Sequence, residues 1–295
     1  MKTLIVYNPK SGKGKFKNYI DRLIMALKEM NINEVSVFSS DRPKEITDFL
    51  LLNAYKFEIL VLSGGDGTLN ETVNALMMVR KRPKILYIPS GTVNDVGRML
   101  RLSKNPMDAI RLLKEEPVKI DVTQINNHYF IYAAAFGKFS SVSYATKHQN
   151  IKKHLGKFYY YIRSIKNVFY SFDFKVNNED RTYLVLLLKS NSLGSFKLRS
   201  KKHIKLNNGK LRIVIFKKKN FLSFIHFLFF MLLGQHYPFG RKEVETSNYE
   251  IELDMPQVLN TDGEIAEENK LFKIEVHKEE IEFFVEKNIK KLYFE

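Results

Sequence analysis

Residues 58–71 read EILVLSGGDGTLNE, and few folds accommodate that order. Ile59, Leu60, Val61 and Leu62 form a short apolar run that stops at Gly64-Gly65-Asp66-Gly67, and a helical pattern begins near Thr68. The run is aliphatic and partly β-branched, too short for a helix and bounded by glycines, so it predicts a buried parallel strand. Three glycines within four residues let the backbone turn sharply and approach a ligand with no Cβ in the way. Thr68 is expected as the N-cap of the following helix, with Glu71 completing a capping box. The free N–H groups and positive dipole end of such a helix suit phosphate. A carboxylate at Asp66 would repel phosphates unless a divalent cation stood between them. Strand, glycine turn, acid and helix together predict a magnesium–nucleotide site, whereas a lone glycine-rich turn would predict only a tight connection.

Two other strand ends repeat the theme. Residues 2–8 (KTLIVYN) read as a first strand rather than a signal peptide, since only four apolar residues precede Asn8-Pro9. NPKSGKGK follows, with Ser11 and Lys13 suited to phosphate, and then a helix from about Lys15 to Met30. The spacing is not that of a Walker A loop. Val35–Ser39 reads as strand two and Pro43–Ala54 as its helix, with Ser39 and Ser40 either touching a nucleotide or capping that helix. Residues 84–88 (KILYI) make strand four, ending in Pro89-Ser90-Gly91-Thr92-Val93-Asn94-Asp95, where Thr92 and Asp95 open a further helix; Met107–Lys114 is another short one. Strands alternating with helices imply a mostly parallel, doubly wound sheet whose loops share one edge, where open α/β sheets bind ligands.

Beyond Pro117 strand-like runs follow one another: 118–125, 128–136, 172–177, 182–189, 203–206, 210–216, 248–253, 271–276 and 281–285. Asn126-Asn127, Asn177-Asn178 and Asn207-Asn208-Gly209 separate several of them, a hairpin signal. The expectation is a mainly antiparallel β-sandwich over 123–287, with one helix inserted at about 151–170. It follows an α/β domain over 1–122 that residues 288–295 rejoin. A chain of 295 residues, 44% hydrophobic, can supply a core for each. The absence of cysteine excludes disulfides, thiolate zinc sites and a cysteine nucleophile. Charge is uneven: residues 147–219 carry 19 basic and 3 acidic groups, and residues 243–295 carry 6 basic and 15 acidic. So basic a middle should be drawn to a polyanion, a nucleic acid or an anionic membrane face. Phe221–Leu233 (FLSFIHFLFFMLL) falls short of the ~20 residues needed to span a bilayer. It reads as a core helix or, beside Lys217-Lys218-Lys219, as an interfacial one at the mouth of a lipid site.

Asn8-Pro9-Lys10-Ser11-Gly12 (NPxSG), Gly64 to Glu71 (GGDGTxNE) and Pro89 to Asp95 (PxGTxND) resemble the three motifs of the diacylglycerol kinase catalytic-domain family. The resemblance covers most of the chain. NAD kinases share the second motif but lack the other two. The resemblance implies that Asn8, Pro9, Lys10, Ser11, Gly12, Gly65, Asp66, Gly67, Thr68, Leu69, Asn70, Glu71 and Thr92 bind ATP, with Ser39 or Ser40 standing where relatives carry a threonine. Thr261-Asp262-Gly263-Glu264 resembles the family's DGE motif, which implies that Asp262 or Glu264 accepts the proton of the substrate hydroxyl while Asp66 and Asp95 organise Mg2+. Read without the family, Asp262-Gly263 is a hairpin turn.

Many relatives hold a structural magnesium at an Asp-Gly turn; here that turn is Asn208-Gly209, so Asn208 is a doubtful ligand. Phe136-Gly137-Lys138-Phe139 also departs from a GxGxDA pattern found in part of the family. The implied function is transfer of the ATP γ-phosphate to diacylglycerol or a related lipid alcohol. The expected place is the cytoplasm, peripherally at the inner face of the membrane. Partners are the lipid and the anionic surface; nucleic acid is not expected, and a homodimer is kept as one possibility. The alternatives are a kinase of a soluble acceptor such as NAD and a non-catalytic nucleotide-binding module at membranes.

Overall fold

The computed structural model describes residues 1–137, 173–190, 192–193, 196–199, 205–218 and 221–294. The helix expected at 151–170, and Lys138 and Phe139, lie outside them. Four parallel strands, β1 (Lys2–Tyr7), β2 (Glu34–Ser39), β3 (Ile59–Gly64) and β4 (Lys84–Pro89), stand in the order β4-β3-β1-β2. The near-continuous apolar runs of β1, β3 and β4 follow from cover on both faces, whereas the edge strand β2 (EVSVFS) is largely exposed. Alternate residues join different cores: Leu4, Val6, Leu60, Leu62, Ile85 and Tyr87 on one side, Ile5, Tyr7, Ile59, Val61, Leu86 and Ile88 on the other. Helices α2 (Glu45–Asn53) and α3 (Asp66–Met77) give Ile46, Leu50, Leu69 and Val73 to the first core, and α1 (Ile20–Glu29) gives Leu23 and Leu27 to the second. The short α4 (Asp95–Met99) and α5 (Pro106–Ala109) complete this half.

Three helix starts differ from expectation. Residues 11–19 are tight 3-10 turns and α1 begins only at Ile20, because Gly12 and Gly14 hold φ of 59° and 72°. Helix α2 begins at Glu45, behind a left-handed Lys44, and not at Pro43. Helix α3 begins at Asp66 with Gly65 as its N-cap, so Thr68 is a buried residue of the first turns and not a cap.

The remainder is antiparallel. Strands β5 (Val118–Ile125) and β6 (His128–Phe130) form a hairpin over Asn126, whose φ of 51° suits an asparagine turn. The others are β7 (Ala133–Gly137), β8 (Phe174–Lys175), β9 (Arg181–Leu188), β10 (Ser192–Leu193), β11 (Phe196–Lys197), β12 (Leu211–Lys217), β13 (Arg241–Thr246), β14 (Asn248–Thr261) and β15 (Glu264–Phe283). The runs expected at 248–253, 271–276 and 281–285 are parts of the two long strands β14 and β15, whose pairing breaks register between Glu252 and Gln257. One end of that hairpin pairs with β7 in the order β13-β12-β9-β7-β14, and the other pairs with β5. Phe136, Val185, Ile213, Ile251, Phe272 and Ile274 pack in one apolar cluster between these layers, with Phe136 and Phe272 stacked at 4.9 Å. The sandwich is therefore made largely by one bent hairpin. It is continuous with the parallel sheet, for Phe283 of β15 lies beside Ile85 of β4.

Helix α6 (Phe221–Leu233) packs Phe227 and Phe230 edge-on against Phe216, and α7 (Lys287–Tyr293) buries Ile289 in the core that contains Leu4. No helix among the described residues is long and apolar enough to cross a membrane.

Candidate active site

The strand ends meet. The Ser63, Ser90 and Ser11 hydroxyls form a chain, Ser63 Oγ to Ser90 Oγ at 3.3 Å and Ser90 Oγ to Ser11 Oγ at 3.0 Å, linking the loops after β3, β4 and β1. A Cβ built on Gly12 would lie 2.8 Å from the Ser90 carbonyl oxygen, and one on Gly91 would lie 2.5 Å from Gly65 Cα. The second and third motifs thus touch backbone to backbone at two glycines, where any side chain would force them apart. Ser11 belongs to the first motif, but Ser63 and Ser90 carry no sequence signal of their own and are found only once the strands are in register.

Around this core the remaining expected residues take distinct tasks. Asn8 accepts the Lys10 N–H at 2.8 Å through Oδ1, fixing the first loop, and the Lys10 ammonium donates to the Asp41 carbonyl at 2.8 Å. Ser40 is buried and donates to the Arg42 carbonyl, whereas Ser39 is exposed; neither caps α2. Thr92 is exposed beside the buried Asn94.

Glu71 does not complete a capping box with Thr68. Its Oε1 instead accepts the N–H groups of Ile46 and Thr47, each at 3.1 Å, so it caps α2 from a distant point in the chain. Glu71→Ala is expected to lower stability by about 1–2 kcal/mol, as loss of a helix cap does. Equilibrium urea unfolding checks this; an unchanged midpoint would refute the capping role.

Asp66 opens α3. Its Oδ1 accepts the Asp95 N–H at 2.7 Å, which binds the first turn of α3 to that of α4. Burial, and then the nearby Asp95 carboxylate, push the Asp66 carboxyl above its ordinary range, against the pull of backbone N–H groups of 94–96. Burial also raises Asp95, opposed by the hydrogen bond and charge of Arg98. Two half-buried carboxylates raised in this way favour an added cation.

The described residues hold no cluster of three or more histidine, aspartate or glutamate side chains suited to a metal. Magnesium is commonly held by one or two carboxylates together with substrate phosphates and water, and Asp66 with Asp95 fits that donor set.

Asp262 and Glu264 part company. The β14–β15 turn is Asp262-Gly263, with φ of 48° and 91°, and the Asp262 and Glu264 side chains on either side of the glycine meet different partners. The Asp262 carboxylate accepts N–H groups from Ala133 (3.0 Å), Tyr132 (3.2 Å), Ile131 (3.3 Å) and the Asn70 amide (3.2 Å). Burial pushes its carboxyl up to about 6 despite these donors. Asn70 also donates to the Tyr129 carbonyl, and Asn74 pairs with both polar groups of the Tyr129 backbone, so α3 is sewn to β6. Glu264 instead lies over the first turn of α3: a Cβ on Gly67 would come 2.8 Å from Glu264 Oε1. That glycine makes room for a carboxylate beside the helix N-terminus.

Asn208 does not fit a metal. Its Oδ1 accepts the Lys210 N–H at 3.1 Å in a local turn. The cation of this pocket is the wholly buried Lys189 ammonium, 2.9 Å from Asp121 Oδ2 and 2.8 Å from the Lys210 carbonyl. Asp121 also accepts the N–H groups of Gly209 (2.6 Å) and Glu279 (3.0 Å).

Comparison with known proteins agrees with this layout. A family model described as the diacylglycerol kinase catalytic domain matches residues 2–125. The diacylglycerol kinase of Staphylococcus carnosus (strain TM300) is 32% identical over 275 residues, covering 88% of this chain and 87% of its own. That of Staphylococcus epidermidis (strain ATCC 35984) is 33% identical over 276 residues, covering 88% and 84%. Among solved structures, a diacylglycerol kinase from Bacillus anthracis str. Sterne matches with a TM-score of 0.75 at 21% identity, covering 98% of each chain, which supports the fold.

Proposed function

The chain belongs to the diacylglycerol kinase family and is a lipid kinase; on that premise we propose that it transfers the γ-phosphate of ATP, with Mg2+, to the free hydroxyl of diacylglycerol or a closely related lipid alcohol. The observation that carries this reading is the meeting of the three glycine loops at Gly12, Gly65 and Gly91, with Glu264 above the same helix N-terminus. The Asn8–Gly12 loop and the first turn of α3 offer backbone N–H groups to the phosphates of the nucleotide. Asp66 and Asp95 would hold Mg2+, which when bound neutralises phosphate charge. Phosphoryl transfer through a loose transition state needs mainly positioning and charge neutralisation.

Glu264 is the proton acceptor in this reading. The Asp262 carboxylate is already enclosed by four N–H donors, so it positions the turn that carries Glu264. A base must stand within hydrogen-bond reach of the hydroxyl it deprotonates, and Glu264 is the acid of the turn that faces the phosphate-binding helix.

Residues 1–122 with 288–295 form the nucleotide unit in this reading, and 123–287 the lipid unit. The enzyme works in the cytoplasm, peripherally at the inner membrane face. Nothing favours NAD as acceptor. ADP release measured with diacylglycerol in mixed micelles, with NAD, and with neither tests the assignment. Release should depend on diacylglycerol and disappear in Asp66→Ala, while release that follows NAD instead would overturn it.

A further inference from the structure

Four large apolar side chains of α6 stand about half in solvent. Leu222 is 50% exposed, Leu228 44%, Phe229 41% and Leu232 59%, and Phe239 in the following turn is 63% exposed. Residues 222, 228–229 and 232 recur at helical spacing on one side, opposite the buried Ser223 and Phe230. The helix carries no charged residue from Phe221 to Leu233. A helix that is apolar all round and stands at the surface has one half unaccounted for.

The patch is a fixed shape. Tyr237 stacks on Phe229 at 5.2 Å, its hydroxyl meets His226 Nδ1 at 2.6 Å, and the Arg241 guanidinium lies 4.8 Å over the Phe230 ring. Gln235 donates to the Arg199 carbonyl at 2.8 Å, tying the end of α6 to its neighbour. Preorganised aromatic and aliphatic side chains of this kind suit the boundary between headgroups and acyl chains.

Charge decides between a lipid surface and a second copy of the chain. From Arg181 to Lys242 the sequence contains no aspartate or glutamate and 14 lysines and arginines. Among the described residues six of these are ion-paired, Arg181 and Lys218 with Asp173, Lys189 with Asp121, Lys217 with Asp180, Arg241 with Glu243 and Lys242 with Glu179, and the stretch still carries more cations than these five acids answer. A two-fold contact through this part of the chain would bring like charge together, whereas an anionic bilayer answers it.

We propose that α6 and the Tyr237–Phe239 turn form the membrane-docking face of the enzyme, with Leu222, Leu228, Phe229, Leu232 and Phe239 entering the acyl boundary of an anionic bilayer. This rests on the lipid-kinase reading and adds to it the surface through which the chain meets its substrate's phase. The bulk of the helix stays packed on Phe216, so docking needs no unfolding.

The test uses the full chain carrying Leu228→Ser, Phe229→Ser and Leu232→Ser together, with Leu232→Ser alone as a milder variant and thermal melts as the folding control. Partition is measured by co-sedimentation with vesicles of equal parts phosphatidylglycerol and phosphatidylcholine, and with phosphatidylcholine alone. Activity is read on vesicle-borne diacylglycerol and on a short-chain diacylglycerol dissolved as monomers. The triple variant should bind mixed vesicles on the order of tenfold to a hundredfold less tightly, and lose activity on vesicles alone. Wild-type-like vesicle binding by the triple variant would overturn the proposal. So would a wild-type dimer, measured by light scattering, that the triple variant dissociates. Absence of wild-type activity on the soluble diacylglycerol would strike the kinase reading, while vesicle binding remains a separate readout.

Discussion

Glu264→Gln should lower kcat by roughly 10²- to 10⁴-fold, the range expected when a general base is removed, and leave nucleotide affinity and thermal stability near those of the wild type. Glutamine keeps the length and shape of the side chain that passes Gly67, so the first turn of α3 is undisturbed. Only the capacity to take a proton is lost. Asp262→Asn should behave in the opposite way. An amide there would set its own NH2 against groups that all donate, leaving buried N–H groups unpaired at about 1–3 kcal/mol. Its melting temperature should fall, and its activity should suffer through the displaced turn. Because the folded carboxyl is raised from 3.8 to about 6, its contribution to stability is full below its unfolded value and is lost as pH rises through about 6. Asp262→Asn should abolish that slope. An active Glu264→Gln beside a stable, inactive Asp262→Asn would reverse the two roles.

The second large effect concerns stability alone. Lys189→Met should cost about 3–5 kcal/mol, since removing one partner of a buried ion pair leaves the other charge uncompensated. The Asp121 carboxylate would keep its two N–H donors but lose the ammonium that burial has enclosed with it. Pairing Lys189→Met with Asp121→Leu should recover part of the loss, because two apolar groups leave no charge stranded. In a chain carrying Asp66→Ala and Asp95→Ala, which removes the proposed active-site cation position, the denaturation midpoint should be the same in chelator and in magnesium, as the ammonium already satisfies the Lys210 carbonyl and Asp121. A midpoint that drops in chelator would place a metal in this part of the fold.

How much of this was legible in the residues depends on distance along the chain. Glycine loops announce themselves because the backbone geometry they permit is local, and strands β1, β3 and β4 are apolar nearly throughout because both of their faces are covered. The cap on α2 was misread because Glu71 lies beyond the next strand from the helix it serves, so its nearest sequence partner, Thr68, looked like the natural one. Lys189 and Asp121 meet across separate strands, and no pattern marks a buried lysine in the apolar run RTYLVLLLK. The edge strand β13, residues 254–261 of β14 and residues 264–270 of β15 escaped, β13 and the β15 segment because charged and half-exposed residues dominate them, the β14 segment because Pro256 interrupts its alternation. DGE was legible only through resemblance. Residue types alone gave a turn, which is also true, and the burial of one acid with the outward reach of the other emerges only from the fold.

Strand β15 begins at Glu264, beside the helix that faces the phosphates, and ends at Phe283 next to Ile85 of the parallel sheet. A single strand therefore joins the proposed proton acceptor to the sheet on which the nucleotide would rest. The strand is interrupted where its pairing with β5 shifts register between His277 and Ile281 and Glu279 holds a φ of 58°, so relative motion of the two halves would bend β15 there. Twist in one strand then sets the reach of Glu264, so a substitution far from the phosphates, wherever it stiffens or slackens β15, should register as a change in turnover before it registers in affinity.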